Sequence, residues 1–193
     1  MAIVLDINIL CNKRLDENIV SEILNDNEVT IETINCIDNW MWDNEQKIEL
    51  FSQVEDVLNN NKIIILKLKK TFIKDMGVYI EKIDNFYLYN IWINTDGYPM
   101  LDCNAVTSEN SYFYEAIYQT VSHISEKNKK LFRIIGIGLE TDFHYNENLA
   151  DIINNSRNMV SWILDSDMNN DTAWNGYSVR KAEGLGMIIL EKS

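Results

Sequence analysis

An α+β domain is the fold class that three features of the sequence predict. Short runs of alternating apolar residues recur along the chain, stretches with helical spacing lie among them, and a cluster of aromatic, β-branched segments is separated by turn signals. We expect a mixed, largely antiparallel sheet with a central three-strand meander, packed by about four helices. A chain of 193 residues fits a single domain spanning 1–193, and the one candidate subdivision lies near residues 59–62, at Asn59-Asn60-Asn61. At 22.5 kDa such a domain buries roughly 70% of the surface of its unfolded chain, enough for a core without staples.

Ala2–Leu10 alternates Ile3, Leu5, Ile7 and Ile9 on one side, a strand interrupted on the other by Asp6 and Asn8. Asp16 can cap a short helix with Ile19, Val20, Ile23 and Leu24 on one face. Val29–Ile37 alternates again, and the segment from Glu45 to Leu58 turns helical through Ile48, Phe51, Val54 and Leu58. Ile63–Leu68 opens fully apolar and reads as a central strand.

The expected meander comprises Val78–Ile83, Phe86–Asn94 and Tyr98–Cys103. Asp84-Asn85 and Thr95-Asp96-Gly97 form its turns, and Pro99 places the third strand at an edge or bulge. Ser111 can cap a helix to Ser125 whose inner stripe is Phe113, Ala116, Ile117, Val121 and Ile124. Leu131–Leu139 is a buried strand, Asn146–Asp165 the longest expected helix, and Met187–Glu191 the last strand.

Composition restricts function more than any motif does. Thirty Asp and Glu against 17 Lys and Arg give a net charge of −13. Nucleic acid and anionic membranes are disfavoured as partners, because both are held by cations that neutralise phosphate. A basic protein would be attracted. Cys11, Cys36 and Cys103 form no close-spaced pair, so free thiols in a reducing, cytoplasmic setting are the expectation. Neither a basic, apolar leader nor an 18-residue apolar span is visible.

Glu140, Asp142 and His144 are the most site-like group. If the strand continues past Leu139, period two puts all three on one face, where two carboxylates and an imidazole could bind a divalent metal or pair a base with its orienter. The plainer reading is the wet end of a strand. Cys103 with His123 or with His144 gives the alternative pairings for nucleophilic chemistry, two of the six that three Cys and two His allow.

Arg133-Ile-Ile-Gly136-Ile-Gly138 resembles the Arg/Gln-x-x-Gly-x-Gly/Ala segment of acetyl-coenzyme-A-dependent N-acetyltransferases. That resemblance implies a pyrophosphate held on the amides of a helix directly after the glycines. Here Glu140 and Asp142 follow instead, and no helix is expected before Asn146, so we read the glycines as points of close approach within a sheet. Asp165, Asp167, Asn169 and Asp171 have the spacing that opens a calcium loop. Asn170 stands at the required glycine, however, and Gly176 at the bidentate carboxylate, which makes this a solvated loop.

The aromatic residues cluster too. Trp40, Trp42, Tyr87, Tyr89, Trp92 and Tyr112 are the candidate partner-binding residues, since Tyr and Trp give large contacts at little entropic cost. The leading expectation is an acidic cytoplasmic module that neutralises or inhibits a basic protein, in the manner of immunity proteins and phage-encoded inhibitors. The alternatives are a small metal-assisted hydrolase using Glu140, Asp142 and His144, and a structural subunit of a larger assembly. No cofactor, structural metal, nucleic acid or membrane partner is expected.

Overall fold

The computed structural model describes residues 3–16, 22–23, 29–70, 73–128, 131–165, 174, 176–182 and 186–192. Ten strands form one sheet: β1 (Val4–Cys11), β2 (Thr30–Ile37), β3 (Gln46–Lys47), β4 (Ile63–Lys70), β5 (Ile73–Ile83), β6 (Phe86–Asn94), β7 (Phe132–Asp142), β8 (Arg157–Asp165), β9 (Tyr177–Ala182) and β10 (Met187–Lys192). Their order is β3-β2-β4-β5-β6-β1-β7-β8-β10-β9, and every pairing among them is antiparallel. Three α-helices lie among the described residues: α1 (Val54–Asn59), α2 (Ser111–Lys127) and α3 (Leu149–Asn155). The fold is thus broadly α+β and mostly antiparallel sheet.

Three expectations need correction. Tyr98–Cys103 is not the third strand of a meander. Pro99–Leu101 is a 3₁₀ turn, and the strand beside β6 is β1, a buried strand whose backbone N–H and C=O groups need a partner on both edges. The expected helix over Asn146–Asp165 stops at Asn155, and Arg157–Asp165 is a strand. Both faces of that strand are buried, so apolar residues fall on both sides of it with only Ser161 among them, and such a segment has no period that tells strand from helix. The expected helix from Glu45 to Leu58 shrinks to Val54–Asn59, preceded by β3 and a 3₁₀ turn at Phe51–Gln53. The expected helix after Asp16 and the calcium-like loop from Asp167 to Asp171 lie outside the described residues. The count of about four helices is therefore not met among the described residues.

One face of the sheet carries the main core. Leu5, Ile7 and Ile9 of β1, Leu66 of β4, Val78 of β5, Ile91 of β6 and Ile137 of β7 pack there, and Tyr114, Tyr118 and Val121 of α2 close over them with Val54 and Leu58 of α1. Helical spacing puts those α2 residues on one stripe, which is why the sequence forms an amphipathic helix here.

On the opposite face a second cluster is smaller. Ile152 and Ile153 of α3 cover Ile134, Trp162, Leu164, Ile188 and Leu190. A third patch, Ile37, Ile63 and Ile65 with Tyr79, lies toward the other end of the sheet. Cys11 and Cys36 are buried, Cys103 is partly exposed, and all three are free thiols. None of the described helices is long and apolar enough to cross a membrane.

Two tryptophans on this second face each lie over a glycine of the neighbouring strand. Gly77 of β5 faces Trp92 of β6, and Gly136 of β7 faces Trp162 of β8. A Cβ at Gly136 would come within 2.5 Å of the Trp162 ring, and one at Gly77 within 2.7 Å of the Trp92 ring. Close backbone approach therefore explains Gly136 without any phosphate.

Candidate functional site

Between the two covered patches of that face runs an open cleft of about 450 Å³. Strand register builds it. Tyr79 of β5, Asn90 of β6 and Asn8 of β1 are consecutive cross-strand neighbours, and Asp6 and Glu81 stand two residues along their strands on the same face. Asp6 and Asn8 are only 7% and 2% exposed, unusual burial for polar residues on a central strand.

A chain of donors satisfies them. The Asn90 amide donates to the Asn8 carbonyl oxygen (2.9 Å), and the Asn8 amide donates to the Thr141 hydroxyl (2.8 Å). That hydroxyl (3.1 Å) and the Thr141 backbone N–H (2.7 Å) both donate to the Asp6 carboxylate. Burial nonetheless raises the Asp6 pKa above its ordinary value, the nearby Glu140 charge adding to this and the Thr141 and Asn90 donors opposing it.

Thr141 reaches Asp6 because β7 breaks its alternation. The register with β8 shifts between Gly138 and Asp142, and Glu140 adopts a left-handed backbone with φ of 45°. Such a φ is rare for a residue with a Cβ, and this one is held by the Asn158 side chain donating to the Glu140 carbonyl (3.0 Å). The result turns Thr141 inward and leaves Glu140 exposed.

Aromatic rings wall the cleft. On one side the edge of Trp40 meets Tyr79 at 5.3 Å between ring centres, and Tyr79 stacks on Trp92 at 6.2 Å. Glu81 lines the cleft together with Trp40, and burial raises its carboxyl above its ordinary value. On the other side stand Phe143 and Tyr145, the latter donating its hydroxyl to Asp84 at 3.1 Å. Three carboxylates, Asp6, Glu81 and Asp142, line the cleft with no Lys, Arg or His among the lining residues.

The loop carrying Trp40 is fixed by its own side chains. Asn39 donates to Asp43 and accepts from the Met41 N–H, Asn44 donates to Asp38, and Lys62 pairs with Asp38 at 2.7 Å. These bonds hold Trp42 at a φ of 63° and present Trp40, Met41 and Trp42 to solvent, Met41 at 82% exposure.

The aromatic candidates divide between the two faces. Trp40 lines the cleft, Trp42 stands beside it on the same loop, and half-buried Trp92 stacks behind Tyr79. Tyr89 is buried in the main core, where its hydroxyl accepts from the Leu15 N–H (2.8 Å), and Tyr87 packs at that core's margin with its hydroxyl on Glu55 (2.8 Å). Tyr112 is exposed on α2, beside a smaller cavity of about 190 Å³ lined also by Ile7 and Lys70.

Of the group Glu140, Asp142 and His144, Asp142 lines the cleft, while Glu140 turns out to solvent and exposed His144 binds Ser156 through its backbone N–H. No group of three His, Cys, Asp or Glu that could hold a metal ion occurs among the described residues.

Asp6, Asn8, Tyr79, Glu81, Asn90 and Thr141 were not visible as a group from the sequence. The available signal was a polar residue repeated at period two inside an apolar strand, Asp6 and Asn8 in β1 and Asn90 in β6. Without strand order, nothing joins the two. Comparison with protein families, with curated proteins and with solved structures finds no match to this chain.

Proposed function

We propose that the protein is an acidic binding module that captures a basic protein partner at the cleft of the second sheet face and thereby neutralises or inhibits it. The observation that carries this reading is the cleft lining: three carboxylates and four aromatic residues, Trp40, Tyr79, Phe143 and Tyr145, with no cationic side chain among them. Carboxylates attract a cation, and ring faces bind it through their quadrupole once it is partly desolvated. The net charge of −13 would speed encounter with such a partner, and the exposed Trp40-Met41-Trp42 tip offers the apolar anchor that interface hot spots use. Burying Asp6 and Asn8 on a central strand costs stability that an apolar pair would not, which fits residues kept for recognition.

The test is affinity capture from a lysate with the wild-type chain and with a Glu81→Gln/Asp142→Asn double variant. The captured protein is then purified and titrated directly. A basic protein held by the wild type, released by moderate salt and bound at least about tenfold more weakly by the variant is expected. Equal binding of that protein to both chains would refute the reading.

A further inference from the structure

We infer that the cleft takes the guanidinium of an arginine side chain presented by the partner, in preference to a lysine ammonium; this rests on the reading of the cleft as a cation site. The protein's own arginines supply the argument. Arg14 lies 5.4 Å from the centre of the Phe51 ring and pairs with Glu55 at 2.9 Å. Arg180 lies 5.4 Å from the Tyr118 ring centre and pairs with Glu115 at 2.6 Å and Glu191 at 3.4 Å. Arg133 lies 4.5 Å from the Phe86 ring centre and donates to the Glu147 carbonyl. In three of the protein's four arginines the guanidinium carbon lies over a ring while a guanidinium nitrogen meets an oxygen.

The physical reason is the shape of the ion. A guanidinium is flat, weakly hydrated above and below its plane, and carries five in-plane donors, so stacking and edge pairing are satisfied together. An ammonium is compact and strongly hydrated, and loses more on entering a partly dry site. Three lysines pair with carboxylates alone, Lys47 with Glu49, Lys62 with Asp38 and Lys67 with Glu32, while Lys82 is the exception that lies over a ring, Tyr87, and donates to the Asn59 side-chain oxygen.

The cleft offers the same two kinds of group, aromatic rings and carboxylates, side by side. The Tyr79 and Trp40 rings stand beside the Glu81 carboxylate, and Asp6 and Asp142 face them from β1 and the end of β7. Its volume of about 450 Å³ falls in the range that encloses a small organic group. Asp6 is held in place by the Thr141 N–H and hydroxyl, and that hydroxyl is in turn held by the Asn8 amide.

The probe is a blocked Gly-Arg-Gly peptide titrated into the full-length chain at low salt, beside its lysine and citrulline counterparts. Tryptophan fluorescence and the indole N–H resonance of Trp40, which lines the cleft with Glu81, give the readout. Saturable binding of the arginine peptide is expected, with the lysine peptide weaker by about fivefold or more and citrulline, isosteric but neutral, silent. Glu81→Gln should weaken arginine binding about tenfold, whereas Glu109→Gln, an exposed carboxylate outside the cleft lining, should leave it unchanged.

Equal arginine and lysine affinities would overturn the guanidinium assignment and leave the cation reading standing. Equal binding of citrulline would overturn both. No binding of any peptide by a chain that still binds its purified partner through Glu81 would overturn the assignment alone.

Discussion

The two faces of the sheet come from the same strands but are finished differently. Under α2, β1 contributes Leu5, Ile7 and Ile9 to a largely apolar layer that the helix covers, with the buried Ser161 hydroxyl paired to Tyr118. On the reverse, the same strand contributes Asp6 and Asn8, and cover stops on either side of them: α3 over one flank, the Trp40 loop by the other. The two Trp-on-Gly pairs mark this change. Trp162 over Gly136 is fully buried beneath α3, whereas Trp92 over Gly77 is half-buried behind Tyr79. A side chain of the same type in the same register thus serves as core in one place and as the backing of a cleft wall in the other.

The largest effect that would sharpen this contrast is Trp162→Ala, expected to cost about 3–5 kcal/mol in urea denaturation, with Trp92→Ala costing clearly less because its site is already open. Equal losses would break the comparison. Next comes Gly136→Ala, whose added methyl must push the Trp162 ring aside, at about 1–3 kcal/mol in the same measurement. Asn8→Ala removes the acceptor of the Asn90 amide and the donor to the Thr141 hydroxyl, and should cost about 1–3 kcal/mol.

The pH dependence of Asp6 gives a smaller effect of known sign. Its carboxyl is raised by burial and by the charge of Glu140, with Thr141 and Asn90 donating to it and the Tyr79 hydroxyl also within reach of its charge. A raised carboxyl contributes stability that is fully present below the ordinary carboxylate value and is lost as pH rises through the folded value. Asp6→Asn lacks that titration, so its stability relative to wild type should improve as pH is raised from about 4 to about 8. A constant difference across that range, read from melting curves, would mean the carboxyl is not penalised. Smallest of all, Trp42→Ala should change stability by less than about 0.5 kcal/mol while weakening partner binding, because its exposed ring meets solvent in the free protein.

How much of this was legible in the sequence depended on whether a segment keeps one wet side. The Phe86–Asn94 strand was read to the residue, and β1, β2, β4 and α2 were found with shifted ends, because turn signals or a polar side bound them. Arg157–Asp165 was misread as helix because dry surroundings on both sides erase the alternation, and Tyr177–Ala182 was passed over within a polar stretch. For the site, Trp40 and Asp142 were recognised as candidates, and both line the cleft. Asp6, Asn90 and Thr141 were not, because their meeting depends on β1 lying between β6 and β7 and on the turn of one residue, Glu140, into a left-handed conformation. Neither leaves a local pattern to read.

The position of β1 also governs assembly. Its neighbours lie far along the chain: Asn8 bonds a residue 82 positions away on one side and one 133 positions away on the other. The hairpins β5–β6, β7–β8 and β9–β10 can zip locally, but the two half-sheets they seed share no ladder until the first strand slots between them. Until then the open rims of β6 and β7 can recruit another molecule, so renaturation should be slow and should lose yield at high protein concentration.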